Sequence, residues 1–295
     1  MDPYHAIRTS VLAIETHLNQ PLTVRDLADR AGYSFWHFQR LFHALTGQSV
    51  GAYLRARRLA ASVVALQATR RRILDIALEY QFESQAAFTR AFKAAFGQTP
   101  GEVRRRRIPV ACSPPIVLSV DPADHVPGGA PMQPIIQQLP SRTLLGLETP
   151  FISALAETTT NMAVIPELWR RFNERRGEIR HPNGDSAFGL ISCTEEEARE
   201  ETMRYLAGVE VSDPAPALPE DMVMRVLPEG LYAIFTHQGP VSTFDATIRR
   251  VYAEWLPQAP YRRAHGPEFE RYDARFKGES PDSEFEYAIP VAPKA

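Results

Sequence analysis

Four side chains, Trp36, Gln39, Arg40 and His43, fall at i, i+3, i+4 and i+7. On an α-helix that spacing sets them on one exposed face, beside an apolar stripe of Phe38, Leu41, Phe42 and Leu45. The chemistry of the set fits the edges of base pairs. A guanidinium bridges guanine O6 and N7, a carboxamide bridges adenine N6 and N7, and an indole presses on sugar or a thymine methyl. Farther along, Gln85, Ala86, Thr89, Arg90 and Lys93 stand beside a second stripe of Phe88, Ala91, Phe92 and Ala95. Arg90 repeats Arg40, Thr89 stands for Gln39 and Ala86 for Trp36. A lone Arg or Gln on a helix is ordinarily just solvated, but recurrence of the set points to duplex DNA as a partner. The second face is the poorer one, which predicts looser discrimination where it binds.

A second constellation pairs acids with aromatics. In Glu268-Phe269-Glu270-Arg271-Tyr272, strand alternation puts Glu268, Glu270 and Tyr272 on one face and Phe269 on the other. The last apolar run, Glu284-Phe-Glu286-Tyr-Ala-Ile, alternates in the same way. Such acids are commonly the wet face of a half-exposed strand. On a cupped aromatic wall a carboxylate instead attracts cations or accepts hydrogen bonds from a ligand, because desolvation magnifies its charge. The C-terminal part of the chain that holds these acids has no phosphate-cradling Gly loop, no Ser/His/Asp ordering and no metal motif. His37 and His43 lack Cys or carboxylate companions at ligand spacing, so no metal, no cofactor and no catalytic residue is expected.

The elements that must carry the first two sets are two copies of one helix-turn-helix. One reads Asp26-Leu27-Ala28, Tyr33-Ser34 and Gln39-Arg40-Leu41-Phe42, closing at Gly47-Gln48. The other reads Asp75-Ile76-Ala77, Phe82-Glu83-Ser84 and Thr89-Arg90-Ala91-Phe92, closing at Gly97-Gln98. The offset is 49 residues before the turn and 50 after it, so the second turn has gained one residue. Ile7, Val11, Ile14 and Leu18 mark a helix in front, Thr23 to Asp26 reads as a capping box, and Ser34 and Ser84 read as N-caps. A long helix from Val50 to Leu66, carrying Tyr53, Leu54, Leu59 and Val63 inward, is the rigid spacer. Two helix pairs on one small domain are two probes, and the major groove returns about every 34–36 Å along one face of a duplex.

Charge agrees. Residues 1–107 hold 16 basic and 8 acidic side chains, and the remainder 17 and 27, so a basic head precedes an acidic body. Arg70-Arg71-Arg72 and Arg104 to Arg107 either reach phosphates or solubilise helix ends. Cys112 and Cys193 make no disulfide framework. No apolar run approaches the roughly 18 residues of a membrane span and no signal peptide opens the chain, so a soluble, cytoplasmic protein with no membrane partner is expected.

Residues 108–134 contain seven prolines and read as a semi-extended linker between a head of 1–107 and a body of 135–295. The body alternates strand and helix patterns: strand 142–151, helix 162–176, strands 187–193 and 203–211. It then gives strands 222–227 and 231–237, helix 241–255, and strands 268–272 and 284–291. Strand, helix, strand, strand, given twice, predicts an α+β domain with internal pseudo-symmetry behind an all-α head of about seven helices.

Residues 8–107 resemble the DNA-binding domain of the AraC/XylS family of transcription activators. The resemblance is carried by Trp36-His-Phe-Gln-Arg-Leu-Phe, Gly51-Ala-Tyr-Leu-Arg-Ala-Arg-Arg-Leu, Ile73-Leu-Asp-Ile-Ala-Leu-Glu-Tyr and Phe88-Thr-Arg-Ala-Phe-Lys. It implies binding as a monomer to an asymmetric site, with the two reading helices in successive major grooves and RNA polymerase as a further partner. Trp36, Gln39 and Arg40, and Gln85, Thr89 and Arg90, match the family's base and backbone contacts. The chain departs at Ala86, where related members carry glutamine, so readout by that position is lost.

Residues 135–293 resemble the GyrI-like effector-binding domain through Trp255-Leu-Pro, Pro267-Glu-Phe-Glu270-Arg-Tyr272 and Glu286-Tyr-Ala-Ile-Pro-Val. In that family a buried glutamate on the strand before the last carries ligand recognition. It maps onto Glu270, with Trp169, Tyr205, Phe188 and Tyr272 as candidates for the surrounding wall. The resemblance implies a sequence-specific regulator, an activator, whose body binds a hydrophobic or cationic small molecule or a protein partner. The alternatives it leaves are a hydrolase with Glu270 as general base, and a module that sequesters toxic compounds behind an autoregulatory head.

Overall fold

The computed structural model describes residues 3–107, 109–118, 132–152, 160–194, 196–197, 202–212 and 218–294. They belong to two compact units, 1–121 and 122–295.

The first unit is helical: α1 (Pro3–Thr16), α2 (Val24–Ala31), α3 (Phe35–Thr46), α4 (Val50–Ala68), α5 (Ile73–Glu79), α6 (Gln85–Phe96) and α7 (Pro100–Arg106). Local signals fix their ends. Thr23 and Asp26 form the expected capping box, and Thr99 with Glu102 forms another before α7. Ser34, Ser49 and Ser84 each accept a backbone N–H at the start of α3, α4 and α6, satisfying donors that a helix start leaves unpaired. Gly32, Gly47 and Gly97 close α2, α3 and α6 in the left-handed region, where a residue without a β-carbon is unstrained. The repeat is equally plain in the turns. Tyr33 donates to the Ala28 carbonyl and Phe82 to that of Ala77, so the extra residue of the second turn is Glu83.

Two apolar-stripe assignments in this unit change. Leu18 lies beyond α1, which stops at Thr16. Ala95 is exposed, and Phe96 packs against the core of Leu59, Val63, Leu66, Ile76, Phe88 and Phe92 in its place. A large ring at the helix end reaches a core that a methyl group cannot.

The reading of 108–134 as a free linker is also corrected for its first part. Positions 108 and 119–131 lie outside the described residues. Residues 109–118 have no regular structure, but they dock on the head. Val110 packs against the Phe88–Phe92 core, Arg57 donates to the Ser113 carbonyl, and Ile116 donates its N–H to the Tyr53 hydroxyl at 3.3 Å. Extended proline-rich backbone has carbonyls and N–H groups with no ladder partner, and α4 side chains take them up.

The second unit is an antiparallel sheet with two helical segments. Its strands are β1 (Ile135–Leu139), β2 (Arg142–Ile152), β3 (Pro182–Ser192), β4 (Thr202–Val211), β5 (Val223–Leu227), β6 (Gly230–Gln238), β7 (Tyr261–Arg263), β8 (Glu268–Tyr272) and β9 (Glu284–Pro293). α8 (Asn161–Arg175) follows β2, and α9 (Phe244–Arg250), continued by a π-helical turn over Val251–Trp255, follows β6. The expected duplication is present as β2-α8-β3-β4 and β6-α9-β8-β9. β1 and β7 were not anticipated. β7 has three residues, and Ile-Ile-Gln-Gln-Leu in β1 shows no alternation.

The sheet order is β1-β6-β9-β8-β3-β4-β2-β5, with β7 paired to β9. β1 is followed at once by β2, yet it pairs with β6 of the other half, and β5 pairs with β2. Each half thus lends its leading strand to its twin. Strands at opposite ends of the sheet path are joined through two-residue links, 140–141 and 228–229, so the sheet curls. Accordingly Leu139 of β1 and Leu227 of β5 share one apolar cluster with Phe188, Leu190, Leu206, Tyr232 and Phe269. The opposite face carries Gly189, Tyr205, Glu268, Glu270, Phe285 and Tyr287, set there by strand alternation and register. Among the described residues no helix is long and apolar enough to cross a membrane, and no cluster of His, Cys, Asp or Glu could hold a metal ion.

Candidate nucleic-acid interface and ligand site

The two reading helices share their caps but differ in exposure. In α6, Gln85, Ala86, Arg90 and Lys93 are exposed and Thr89 is half-buried, while Phe88 and Phe92 anchor the inner side. That is the face expected from the sequence. In α3 the expectation of exposure is corrected: Trp36, Gln39 and Arg40 are buried, at 7%, 3% and 9% exposure, and His43 is half-buried. Part of the cause lies within the helix. The Arg40 guanidinium carbon sits 4.2 Å from the Trp36 ring centroid, the i, i+4 neighbour relation that lets a cation cover an indole. Each side chain shields the other. Trp36 Nε1 and Gln39 Oε1 have no hydrogen-bond partner among the described residues.

In the second unit Glu270 is buried on β8, and its Oε2 accepts two tyrosine hydroxyls: Tyr205 of β4 at 2.5 Å and Tyr272 at 2.8 Å. Trp169 of α8 donates its Nε1 to the Tyr205 hydroxyl at 3.0 Å. Of the four wall residues expected from the sequence, Tyr205 and Tyr272 meet Glu270, and Trp169 meets those two tyrosines. Burial, and next the negative charge of Glu270, push the Tyr205 and Tyr272 phenols well above their ordinary range. Both remain protonated donors at neutral pH.

Phe188 does not join them. It pairs with Arg271, not Glu270, and packs on Phe269 in the cluster of the opposite face. A one-residue step along a strand reverses the side a chain points to.

Residues that the sequence reading passed over complete the site. Gly189 lies directly across from Glu270 in the ladder; an isolated Gly within a strand was the available signal of close approach. The rings of Phe285 and Phe276 lie 5.1 and 4.7 Å from Tyr272, and Trp169 meets the same ring edge-on at 5.2 Å. Phe276 is 37% exposed. The aromatic wall thus runs from a buried carboxylate to solvent.

Glu268, two residues before Glu270 and fully buried, has a different set of partners. Tyr252 and Tyr287 donate to its two oxygens, and Arg263, itself buried, pairs with it at 3.1 Å. Burial works to lower the Arg263 pKa, but Tyr252 and Glu268 beside it leave it raised. A cavity of about 550 Å³ also opens at the end of α8 between Arg176, Ile179, Pro182, Asp185 and Val209; the Glu270 cluster does not line it.

Known proteins share both halves. Residues 132–292 match the GyrI-like small molecule binding domain, and residues 27–106 match a helix-turn-helix domain. The chain belongs to the GyrI-like family, with an AraC-type head. It is 32% identical over 290 residues to the transcriptional regulator Rob of Salmonella typhimurium, covering 92% of this chain and 91% of that one. It is 33% identical over 284 residues to the right origin-binding protein of Escherichia coli K12, with the same coverage. The head alone is 48% identical over 102 residues to the transposon Tn10 TetD protein of Escherichia coli, covering 35% of this chain and 74% of that one. This GyrI-like protein is a DNA-binding transcription regulator with a small-molecule-binding domain.

Proposed function

We propose that the protein is an activator that binds an asymmetric duplex site as a monomer, with α3 and α6 in successive major grooves. Its output passes to RNA polymerase in the cytoplasm, and its activity responds to a hydrophobic, cationic small molecule held at Glu270. The repeated helix-turn-helix supports the DNA half of this reading, because both units keep the same serine cap, the same left-handed close and an arginine at the same repeat position. The domains that do this work are residues 1–107 extended by the docked segment to 118, and 135–295, with the intervening stretch as connector.

The observation that carries the ligand half is Glu270, a buried carboxylate that accepts hydrogen bonds from the Tyr205 and Tyr272 phenols at the inner end of an aromatic wall. Low surrounding dielectric makes such a carboxylate a strong attractor for a desolvated cation, and the rings add cation–π attraction. A ligand changes the output only if it binds two states of the protein unequally.

The test is selection of preferred sites from random duplex DNA by the full-length protein, with and without a panel of aromatic cations and their neutral analogues. The expected result is one asymmetric site with two recognition blocks about one helical turn apart. Its affinity shifts with a cation and not with the matching neutral compound. Enrichment of no sequence at moderate salt would overturn the DNA reading, and equal response to neutral analogues would overturn the ligand reading.

A further inference from the structure

Gln81 breaks the rule that its own repeat sets. In the first helix-turn-helix the residue after the short helix is Gly32, at φ 70°; in the second helix-turn-helix the matching residue is Gln81, at φ 65°. The left-handed region is disfavoured for a side chain with a β-carbon, and glycine is the ordinary residue there. An outlier that local sequence does not require is a reason to look for a role.

The side chain supplies one. Gln81 Nε2 donates to the backbone carbonyl of Asn19 at 3.0 Å, sixty-two residues earlier and in the loop between α1 and α2. The carbonyls on either side of Asn19 are also held. Arg58, midway along α4, donates Nε to Leu18 O at 3.1 Å and Nη2 to Gln20 O at 2.9 Å. Three successive carbonyls of the loop that leads into α2 are thus bound by the spacer helix and by the turn that leads into α6. Glycine, or an acceptor-only side chain, could not make the Gln81 bond.

We propose that Gln81, with Arg58, is a positioning residue for DNA recognition: it ties the turn before α6 to the loop before α2 and fixes the angle between the two helix-turn-helix units. The proposal rests on the two-groove reading, because a fixed angle matters to function only if both units engage one duplex. Each helix-turn-helix holds its own core, so without the clamp the units hinge about α4 and accept a wider range of block spacings.

The experiment uses the full-length chain with Cys112 and Cys193 replaced by serine and spin labels at Arg30 and Ala94, one exposed site in each unit. Pulsed electron resonance then gives the distance distribution between the units. The parent is expected to show one narrow distribution. Gln81→Gly, which relieves the backbone outlier, and Gln81→Glu, which keeps the reach but cannot donate, are both expected to broaden it with no fall in melting temperature for the glycine variant. On duplexes whose two blocks are moved by one base pair, the variants should lose about three- to tenfold of the parent's spacing preference, the equivalent of one hydrogen bond. An unchanged distribution in Gln81→Gly overturns the proposal. So does a broadened one with the parent's spacing preference intact. If the parent itself selects no two-block site, the DNA reading fails, and the distance measurement still decides whether the clamp exists.

Discussion

Gly189 and Tyr205 stand so close that position 189 has no room for a side chain: a β-carbon there would lie 2.1 Å from the Tyr205 hydroxyl and 2.6 Å from Glu270 Oε2. Gly189→Ala must therefore push Tyr205 off the carboxylate. The expected outcome is a loss of aromatic-cation affinity larger than the loss of stability, which should stay near the 1–3 kcal/mol typical of overpacking. Titration calorimetry beside thermal melts of the same variant checks it. Unchanged affinity would show that the Tyr205–Glu270 bond does not shape the site.

The two carboxylates of β8 should answer differently to the same change. Glu270→Gln keeps the shape and removes the charge, so cation affinity should fall by about 2 kcal/mol or more while the fold holds. Glu268→Gln leaves the buried Arg263 without its counter-charge, and breaking a buried pair of that kind costs about 3–5 kcal/mol of stability. Denaturant melts of both variants decide. Equal losses would mean that the two acids share one role.

The head should lose stability at both ends of the pH range through one network. Tyr53 and Arg57 both donate to Glu15, linking α4 to α1. Burial alone would raise Glu15, but the bonds from Arg57 and Tyr53 leave its pKa lowered. Its contribution is present above the ordinary carboxylate range and is lost as pH falls through the lowered value. Burial, and next the bond to Glu15, pushes the Tyr53 phenol from 10.0 up to about 12. That contribution is complete below pH 10 and is lost as pH rises from there to about 12. In Tyr53→Phe the alkaline limb of a stability–pH curve, followed by circular dichroism, should flatten and the acid limb should persist.

The docked segment 109–118 should count in the stability of the isolated head. A fragment ending at residue 118 keeps the Ser113 and Ile116 bonds and the packing of Val110, whereas one ending at 107 loses all three. The longer fragment should be more stable by about 1–3 kcal/mol, the value of two hydrogen bonds and a partly buried side chain. Equal melting midpoints would return the segment to the status of a tether.

Arg90 and Arg40 should differ despite their shared repeat position. Arg40→Ala removes a buried stacking partner of Trp36 as well as a base donor, and it should lower head stability and relax selectivity at one base pair by about 1–3 kcal/mol. Arg90→Ala, at an exposed site, should weaken binding without a change in melting temperature. Binding to a panel of single-base variants of the selected site separates the two; uniform weakening in Arg40→Ala would mean that this residue reaches phosphate alone.

What the sequence determined by itself is what local chemistry encodes. Serine and capping-box starts, glycine stops and the 49/50 offset locate both helix-turn-helix units, because caps and apolar periodicity act within a few residues. Alternation in Glu268–Tyr272 likewise puts both acids and Tyr272 on one face, as found. The tertiary structure alone decided how distant elements meet. Strand swapping between the halves and the exclusion of Phe188 from the wall both depend on register between separate elements. The same holds for Gln81 against Asn19. A partner that lies sixty residues away leaves no mark on the pattern of its neighbours, so a sequence read locally gives each side chain its face, and only the folded chain gives it its contact.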